Sequence, residues 1–339
     1  MAGARRRGER PDGPLRRGDR VKRRKFIVML SGVVAWPFAG TAQEGKISTV
    51  GVLVAGVPNP HAFLGALREG LGETGFTEGR NIKLNIRSAG GEAERLPALA
   101  AELVRQKVDV IVGFQTPAVQ AAKQATAEIP IVMDAGDPVG MGLVSSLARP
   151  GGNVTGMSAV TAELAPKVLE YLQQMLPSFR RLGLFLNAND PFRKPFLEHN
   201  QVGVRRLGLE LQPTYVNGPV QLDSAFQSAA RAGMDAVMIQ PSLAFEGAAE
   251  LALAHHLPAA SLTELFARAG GLMSYSANYP ELWREMAVYV AKILNGAKPA
   301  NLPVAQPTKF DLVLNLKSAR ALGLVVPPAL LAAADEVIE

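Results

Sequence analysis

The 339-residue chain contains no cysteine and only 4 histidines. The first absence excludes disulfides, thiolate metal sites, a cysteine nucleophile and a lipid-modified cysteine near the N-terminus. Phosphate-binding loops are also lacking. Gly51-Val-Leu-Val-Ala-Gly56 is not G-x-G-x-x-G, and no G-x-x-x-x-G-K-[ST] occurs, so neither dinucleotide nor nucleoside triphosphate binding is supported. No G-x-S-x-G elbow is found. His255 and His256 are adjacent and point to different faces of a helix, which does not suit a two-histidine metal site. His61 and His199 have no carboxylate or nucleophile partner in sequence. These absences remove the usual catalytic and cofactor-binding constellations and leave no cofactor to expect.

What the chain does contain is apolar surface in ordered pieces. Hydrophobic residues make up 48% of it, which argues against disorder, and the length suffices for two domains with separate cores. The formal charge of +6 is unevenly placed. Residues 1–42 hold 11 Lys/Arg against 3 Asp/Glu, leaving 25 against 27 for the rest. The basic balance belongs to the N-terminus, so no nucleic-acid partner is expected, because that needs a basic face on the folded part.

The same N-terminus has the pattern of an export signal. Lys22-Arg-Arg-Lys25 precedes a mostly apolar run, Phe26 to Phe38, and Gly40-Thr41-Ala42 supplies small residues before a cleavage point at Gln43. A bilayer span takes about 20 apolar residues, more than this run offers. Arg23-Arg24-Lys25-Phe26-Ile27 resembles a twin-arginine signal. The expected product begins near residue 43 and is soluble in the periplasm, with residues 1–42 as extension and signal peptide. Met1 to Arg20 is Arg/Gly/Pro-rich without apolar pattern, which suggests initiation at Val21.

From Lys46 onward strands and helices alternate. Apolar runs at 47–54, 82–86, 108–114 and 129–133 predict strands, with helices over 61–75, around Leu96–Leu103 and over 116–127. In Ile129 to Ser158 a strand runs into Asp134-Ala-Gly-Asp-Pro138, where Asp137 and Pro138 predict the start of a brief helix ended by Pro150-Gly-Gly-Asn153. A further strand then leads out of the first domain. A second series of the same kind occupies 163–275, followed by a helix at 281–294 and a strand at 310–316. This order predicts an α/β fold of two Rossmann-like, doubly wound lobes with parallel sheets between helices.

GDPVG followed by SLARPGGNVTG resembles the ABC-transporter substrate-binding protein family, whose members are usually assigned to tryptophan, tyrosine or related amino acids. Further blocks carry the resemblance along nearly the whole chain after residue 22: KRRKFI, GRNIKLNIR, LAAELVRQKVDVIV, GGLMSYSANYPELWRE and LPVAQPTKFDLVLNLKSARALGL. The resemblance implies a type I periplasmic-binding-protein-like arrangement with a three-segment hinge, crossed near Ser158, Asn278 and Gln306. Lobe 1 would comprise 43–158 plus 278–305, and lobe 2 159–277 plus 306–339. It further implies a non-catalytic monomer that captures a small molecule, an aromatic or branched amino acid, and delivers it to a permease with its ATPase subunit. A periplasmic ligand sensor on the same fold is the alternative; an enzyme on a doubly wound fold is a weaker one.

Open α/β sheets bind ligands at the carboxyl ends of their strands. Four strand-to-helix turns carry capping residues there: Gln115-Thr116-Pro117, Gly136-Asp137-Pro138, Asn189-Asp190-Pro191 and Gln240-Pro241-Ser242. Free N–H groups at helix starts suit a carboxylate, which makes Thr116, with Pro117 behind it, the candidate for that end of an amino acid. Asp137 is the candidate for the ammonium. Asn189, Asp190, Gln240 and Ser242 would line the second lobe, and Tyr275 would stack on the ligand side chain. Phe114 and Phe245 are expected in the core.

Overall fold

The five apolar runs of the first half form one parallel sheet: β1 (Ser48–Val54), β2 (Ile82–Ser88), β3 (Val110–Phe114), β4 (Ile131–Ala135) and β5 (Val154–Ser158), in the order β2-β1-β3-β4-β5. The computed structural model describes residues 47–56, 60–244 and 246–339. The expected export signal, the stretch before it and Phe245 lie outside the described residues.

Both faces of this sheet are covered, so alternate residues of each strand enter different cores. Val50, Val52 and Val54 join a cluster with Leu64 and Leu67 of α1 (His61–Glu73), whereas Leu53 joins one with Leu103 of α2 (Leu96–Arg105) and Val119 of α3 (Thr116–Ala125). The same parity places Val132 of β4 on the α1 face and Ile131 and Met133 on the other.

The second half begins with α4 (Thr161–Met175) and contains β6 (Arg181–Asn187), α5 (Arg193–Leu207), β7 (Glu210–Val216), α6 (Leu222–Arg231), β8 (Ala236–Ile239), α7 (Glu246–Ala254), β9 (Ala259–Ser261), α8 (Glu264–Arg268) and β10 (Met273–Ala277). Its core repeats the two-faced pattern. Leu182, Leu184 and Leu186 pack toward Val168 and Leu172 of α4, and Phe185 toward Phe226 of α6.

Next, α9 (Tyr279–Leu294) leaves this layer and joins the first, where Trp283 and Met286 pack with Phe63 and Leu67 of α1. Asn278 caps it, accepting from the Glu281 N–H at 3.0 Å. The chain then returns as β11 (Phe310–Asn315), antiparallel to β10, and ends with α10 (Leu316–Ala321), α11 (Pro328–Ala333) and β12 (Glu336–Ile338). The second sheet runs β12-β11-β10-β9-β8-β6-β7. The three passages between layers lie side by side. Ser158 N–H donates to Ala305 C=O at 2.8 Å, Ala305 N–H to Gly156 C=O at 3.0 Å, and Asn278 N–H to Lys309 C=O at 3.0 Å.

The brief helix predicted after Asp137 does not form. The chain makes one turn, in which Leu143 N–H donates to Pro138 C=O and Gly142 N–H to Val139 C=O, with Gly142 at φ +62°. That is a helix-ending pattern, and the left-handed glycine stops the turn as soon as it starts.

Candidate functional site

The carboxyl ends of the strands in both sheets face one pocket, with about 410 Å³ of empty space between its walls. From the first lobe come Phe114 at the end of β3, Gln115 and Thr116 at the start of α3, Asp134 and Gly136 around the end of β4, and Tyr279 at the start of α9. Thr161, Asp190, Phe192, Pro241, Ser242 and Thr263 supply the remaining wall. Among the described residues no Lys, Arg or His takes part.

Asp134 stands out chemically. Parity places it on the α1 face of β4, beside Trp283, in an apolar surrounding, and burial pushes its carboxyl up from 3.8 to about 7. The indole N–H of Trp283 partly offsets this, yet it is buried without a partner in hydrogen-bonding geometry. Next to Asp134 the aromatic wall is tightly built. Phe63 stacks on Phe114 at 4.7 Å, and Trp283 meets both edge-on at 5.5 and 5.4 Å, with Tyr279 5.4 Å beyond. Burial, and then the Asp134 carboxyl, hold the Tyr279 phenol well above its ordinary value, so its hydroxyl stays protonated.

The start of α3 completes this lobe's contribution. Gln115 sits at φ 72°, ψ 151°, a conformation that costs a non-glycine residue of order 1–3 kcal/mol and is concentrated at functional sites. Its side-chain Oε1 is buried without a partner. The Thr116 hydroxyl accepts from Gly136 N–H at 3.3 Å, and Pro117 occupies the second helical position. As the first residue of the helix, Thr116 has an N–H with no intrahelical acceptor.

The second lobe presents a carboxyl of the opposite kind. Asp190 is also buried, and burial raises its pKa, but its oxygens are fully engaged. Oδ1 accepts from Phe192 N–H at 2.9 Å, and Oδ2 from Gln240 Nε2 and the Ser242 hydroxyl, both at 2.7 Å. Asn187, at the end of β6, ties into the same network through Gln240 Oε1 and Ser242 Oγ.

Of the residues the sequence pointed to, Thr116, Asp190 and Ser242 line the pocket. Pro117 is buried in the first turn of α3, and Gln240 is buried with its amide on Asp190. Asn189 lies at the cleft edge, donating to Glu94 Oε1 of the first lobe at 2.9 Å. Asp137 is only half-buried and accepts from Gly140 N–H at 2.8 Å, so it closes its own turn and is not among the pocket walls. Tyr275 sits between Tyr171 at 5.5 Å and Phe310 at 6.2 Å, away from the pocket, because strand parity turns it toward α4. Phe114, expected in the core, both packs there and lines the pocket. Sequence reasoning missed Asp134, Thr161, Phe192, Thr263 and Tyr279. The available signal for Asp134 was an ionisable residue ending an otherwise apolar strand, Ile131-Val-Met-Asp134. Among the described residues, no group of His, Asp or Glu is arranged to hold a metal ion.

Two lobes of largely parallel sheet, joined by three adjacent passages and facing each other across one pocket, define a solute-binding protein of the type I periplasmic fold. The chain belongs to the family described as ABC transporter substrate binding protein, whose model matches residues 50–338. Members of this family bind solutes and are not enzymes. A tyrosine-binding protein of Clostridioides difficile (strain R20291) is 25% identical over 260 residues, covering 75% of this chain and 74% of its own. A conserved domain protein from Vibrio cholerae O1 biovar El Tor superposes with a TM-score of 0.80 at 29% identity, over 86% of this chain and 100% of that one. An ABC domain from Streptococcus pneumonia, solved in complex with L-Trp, superposes with a TM-score of 0.78 at 25% identity, over 86% and 100%.

Proposed function

We propose that this protein is the periplasmic capture component of an ABC import system and that its ligand is an α-amino acid with an aromatic or branched side chain. The observation that carries the reading is Asp134: a buried carboxyl on the pocket wall whose neighbouring side-chain donor, the Trp283 indole N–H, is out of hydrogen-bonding geometry. A buried charge without a partner is costly, and an ammonium supplies both the opposite charge and N–H donors. The α-carboxylate then goes to the start of α3, where the Thr116 N–H and hydroxyl lie at the positive end of the helix. The absence of a basic side chain from the described pocket lining supports this division, since the carboxylate end has only uncharged donors to use: the helix N–H, hydroxyls and the Gln115 amide. Phe114, Phe192 and Tyr279 give an apolar side chain its surroundings. The L-Trp complex of the S. pneumonia relative and the name of the C. difficile relative support the same ligand class.

Capture then works by closure. The three passages at 158–161, 277–279 and 305–310 serve as the hinge between lobe 1 (43–158 plus 278–305) and lobe 2 (159–277 plus 306–339), and ligand contacts to both lobes favour the closed form. Micromolar affinity corresponds to about −8 kcal/mol, part of which is used in closing. The closed monomer docks on a permease whose ATPase supplies the work. Export through the N-terminal signal, by the Tat or the Sec route, brings the protein to the periplasm.

The test is a thermal-shift screen of the chain from Gln43 onward against amino acids, aromatic acids, purines and sugars. A ligand at 100 times its Kd adds about 2.7 kcal/mol of stability, which a melting curve detects. An aromatic or branched amino acid is expected to stabilise the wild type and to leave Asp134→Ala unshifted. A best ligand lacking an amino group, or a mutant that responds as the wild type does, would sink the reading.

A further inference from the structure

One aromatic ring of the second lobe rests directly on the backbone of the first. Phe192 follows the Asp190-Pro191 turn of the second lobe, is 3% exposed and lines the pocket. Its ring lies directly on Gly136 of the first lobe. A β-carbon on residue 136 would fall 2.6 Å from Cε2, 2.7 Å from Cζ and 3.1 Å from Cδ2 of that ring. Contacts under 3.0 Å essentially never occur at a real β-carbon, so this arrangement exists only because position 136 carries no side chain. The backbone gives no other reason for glycine there, since Gly136 is not among the positive-φ residues. The three atoms nearest to such a carbon all belong to Phe192, so the obstruction arises across the cleft and not within the first lobe.

The backbone that carries the ring is tied down. Asp190 Oδ1 holds the Phe192 N–H at 2.9 Å, and Phe196 backs the ring at 5.9 Å. Away from the pocket the lobes also meet where Asn189 donates to Glu94 and where Pro219 lies beside Gly91; the first is an exposed hydrogen bond, and a β-carbon at residue 91 would come no nearer than 3.3 Å to Pro219, so neither depends on a missing side chain as the Phe192 contact does. Resting on the reading of this pocket as the ligand site, we propose that Phe192 seated on Gly136 is the contact through which the lobes close, making Phe192 the positioning residue for closure and Gly136 its required seat.

The absence of cysteine allows a test that needs no known ligand. Glu94→Cys and Asn189→Cys together place the chain's only thiols on opposite sides of the cleft, and the rate of bridging by a short bismaleimide reports how often the lobes close. Adding Gly136→Ala should slow bridging by about tenfold or more, as expected for a smaller closed population. Circular dichroism and the melting temperature should stay near those of the parent. Combining Gly136→Ala with Phe192→Ala should return the rate to that of Phe192→Ala alone, a coupling that a merely structural defect at residue 136 would not show. A Gly136→Ala rate equal to the parent's, or slowing that persists after the ring is removed, overturns the proposal. L-tryptophan, L-tyrosine and L-leucine added to the parent pair should accelerate bridging. If none does, the amino-acid reading fails, while the comparison of unliganded rates still decides the closure contact.

Discussion

Two aspartates face the same pocket from opposite lobes, and they differ in one respect. Asp190 has a donor for each role its carboxylate plays: Phe192 N–H, Gln240 Nε2 and Ser242 Oγ, at 2.9, 2.7 and 2.7 Å. Asp134 has none in good geometry, and burial takes its carboxyl to about 7. Residue type, burial and location match, so the difference lies in the partners alone. A carboxyl whose donors come from its own lobe holds a wall in place; one whose neighbouring donor is poorly placed is open to a partner from outside. On the proposed reading Asp190 belongs to the scaffold and Asp134 to the ligand, and each part of that reading can be broken separately.

The largest effect is expected at Asp134. Removing one member of a buried ion pair costs about 3–5 kcal/mol, so Asp134→Ala should weaken amino-acid affinity by a factor on the order of 100 or more. Isothermal titration measures this directly. An Asp134→Asn protein should show nearly the same loss, since the amide keeps the shape but not the charge. Retention of wild-type affinity in either variant would place the ammonium elsewhere.

The same carboxyl links stability to pH. Its folded pKa is raised above the unfolded 3.8, so between pH 4 and 7 the folded chain keeps a proton that the unfolded chain gives up. Stability of the ligand-free protein should therefore fall as pH rises through that window. A shift from 3.8 to about 7 corresponds to on the order of 4 kcal/mol in total, at roughly 1.4 kcal/mol per unit. Burial also raises Glu264, so the component due to Asp134 is the difference between wild type and Asp134→Asn in urea titrations at each pH. Affinity should move the other way. The ammonium needs the ionised carboxylate, so below pH 7 affinity should rise by about tenfold per unit toward neutrality and then level off. A wild type and an Asp134→Asn variant with parallel profiles would contradict both statements.

Asp190 should behave as scaffold. Asp190→Ala leaves Gln240, Ser242 and the Phe192 N–H without their acceptor, and unpaired buried groups cost about 1–3 kcal/mol. The expected result is a loss of about 2–3 kcal/mol in urea unfolding, present without ligand. Affinity should fall less than in Asp134→Ala. A variant as stable as wild type that has lost affinity completely would reverse the two assignments.

The frame of the molecule was legible because parallel strands covered on both faces are continuous apolar runs, and Val50 to Val54 or Val110 to Phe114 admit few other readings. The site was legible only where a local rule pointed to it. Cap chemistry marked Thr116, Asp190 and Ser242, because the strand-to-helix turns that need caps also face the ligand. It equally marked Asp137, where the cap serves only a single turn that Gly142 ends. Asp134 fell outside the rule, since it belongs to the strand before the turn, and its character comes from burial, which only the tertiary fold produces. Tyr275 and Tyr279 show the same limit. Four residues apart on either side of a passage between lobes, one packs under α4 and the other enters the pocket, and only the tertiary arrangement separates them.

The smallest effect, and the sharpest check on the comparison, is at Asp137. It lies three residues after Asp134 and has the same charge, but its Oδ1 accepts from Gly140 N–H at 2.8 Å on a half-exposed turn. Asp137→Ala removes one cap-like hydrogen bond, a loss of about 1 kcal/mol in stability, and should leave affinity within about twofold of wild type. Matched titrations of Asp137→Ala and Asp134→Ala with one amino acid then separate burial from charge. If charge near the cleft were enough to hold an ammonium, the two variants would weaken binding alike. If a desolvated carboxyl without a donor is what the ligand requires, only Asp134→Ala will, because water and the Gly140 amide already satisfy Asp137 and leave an ammonium little to gain there.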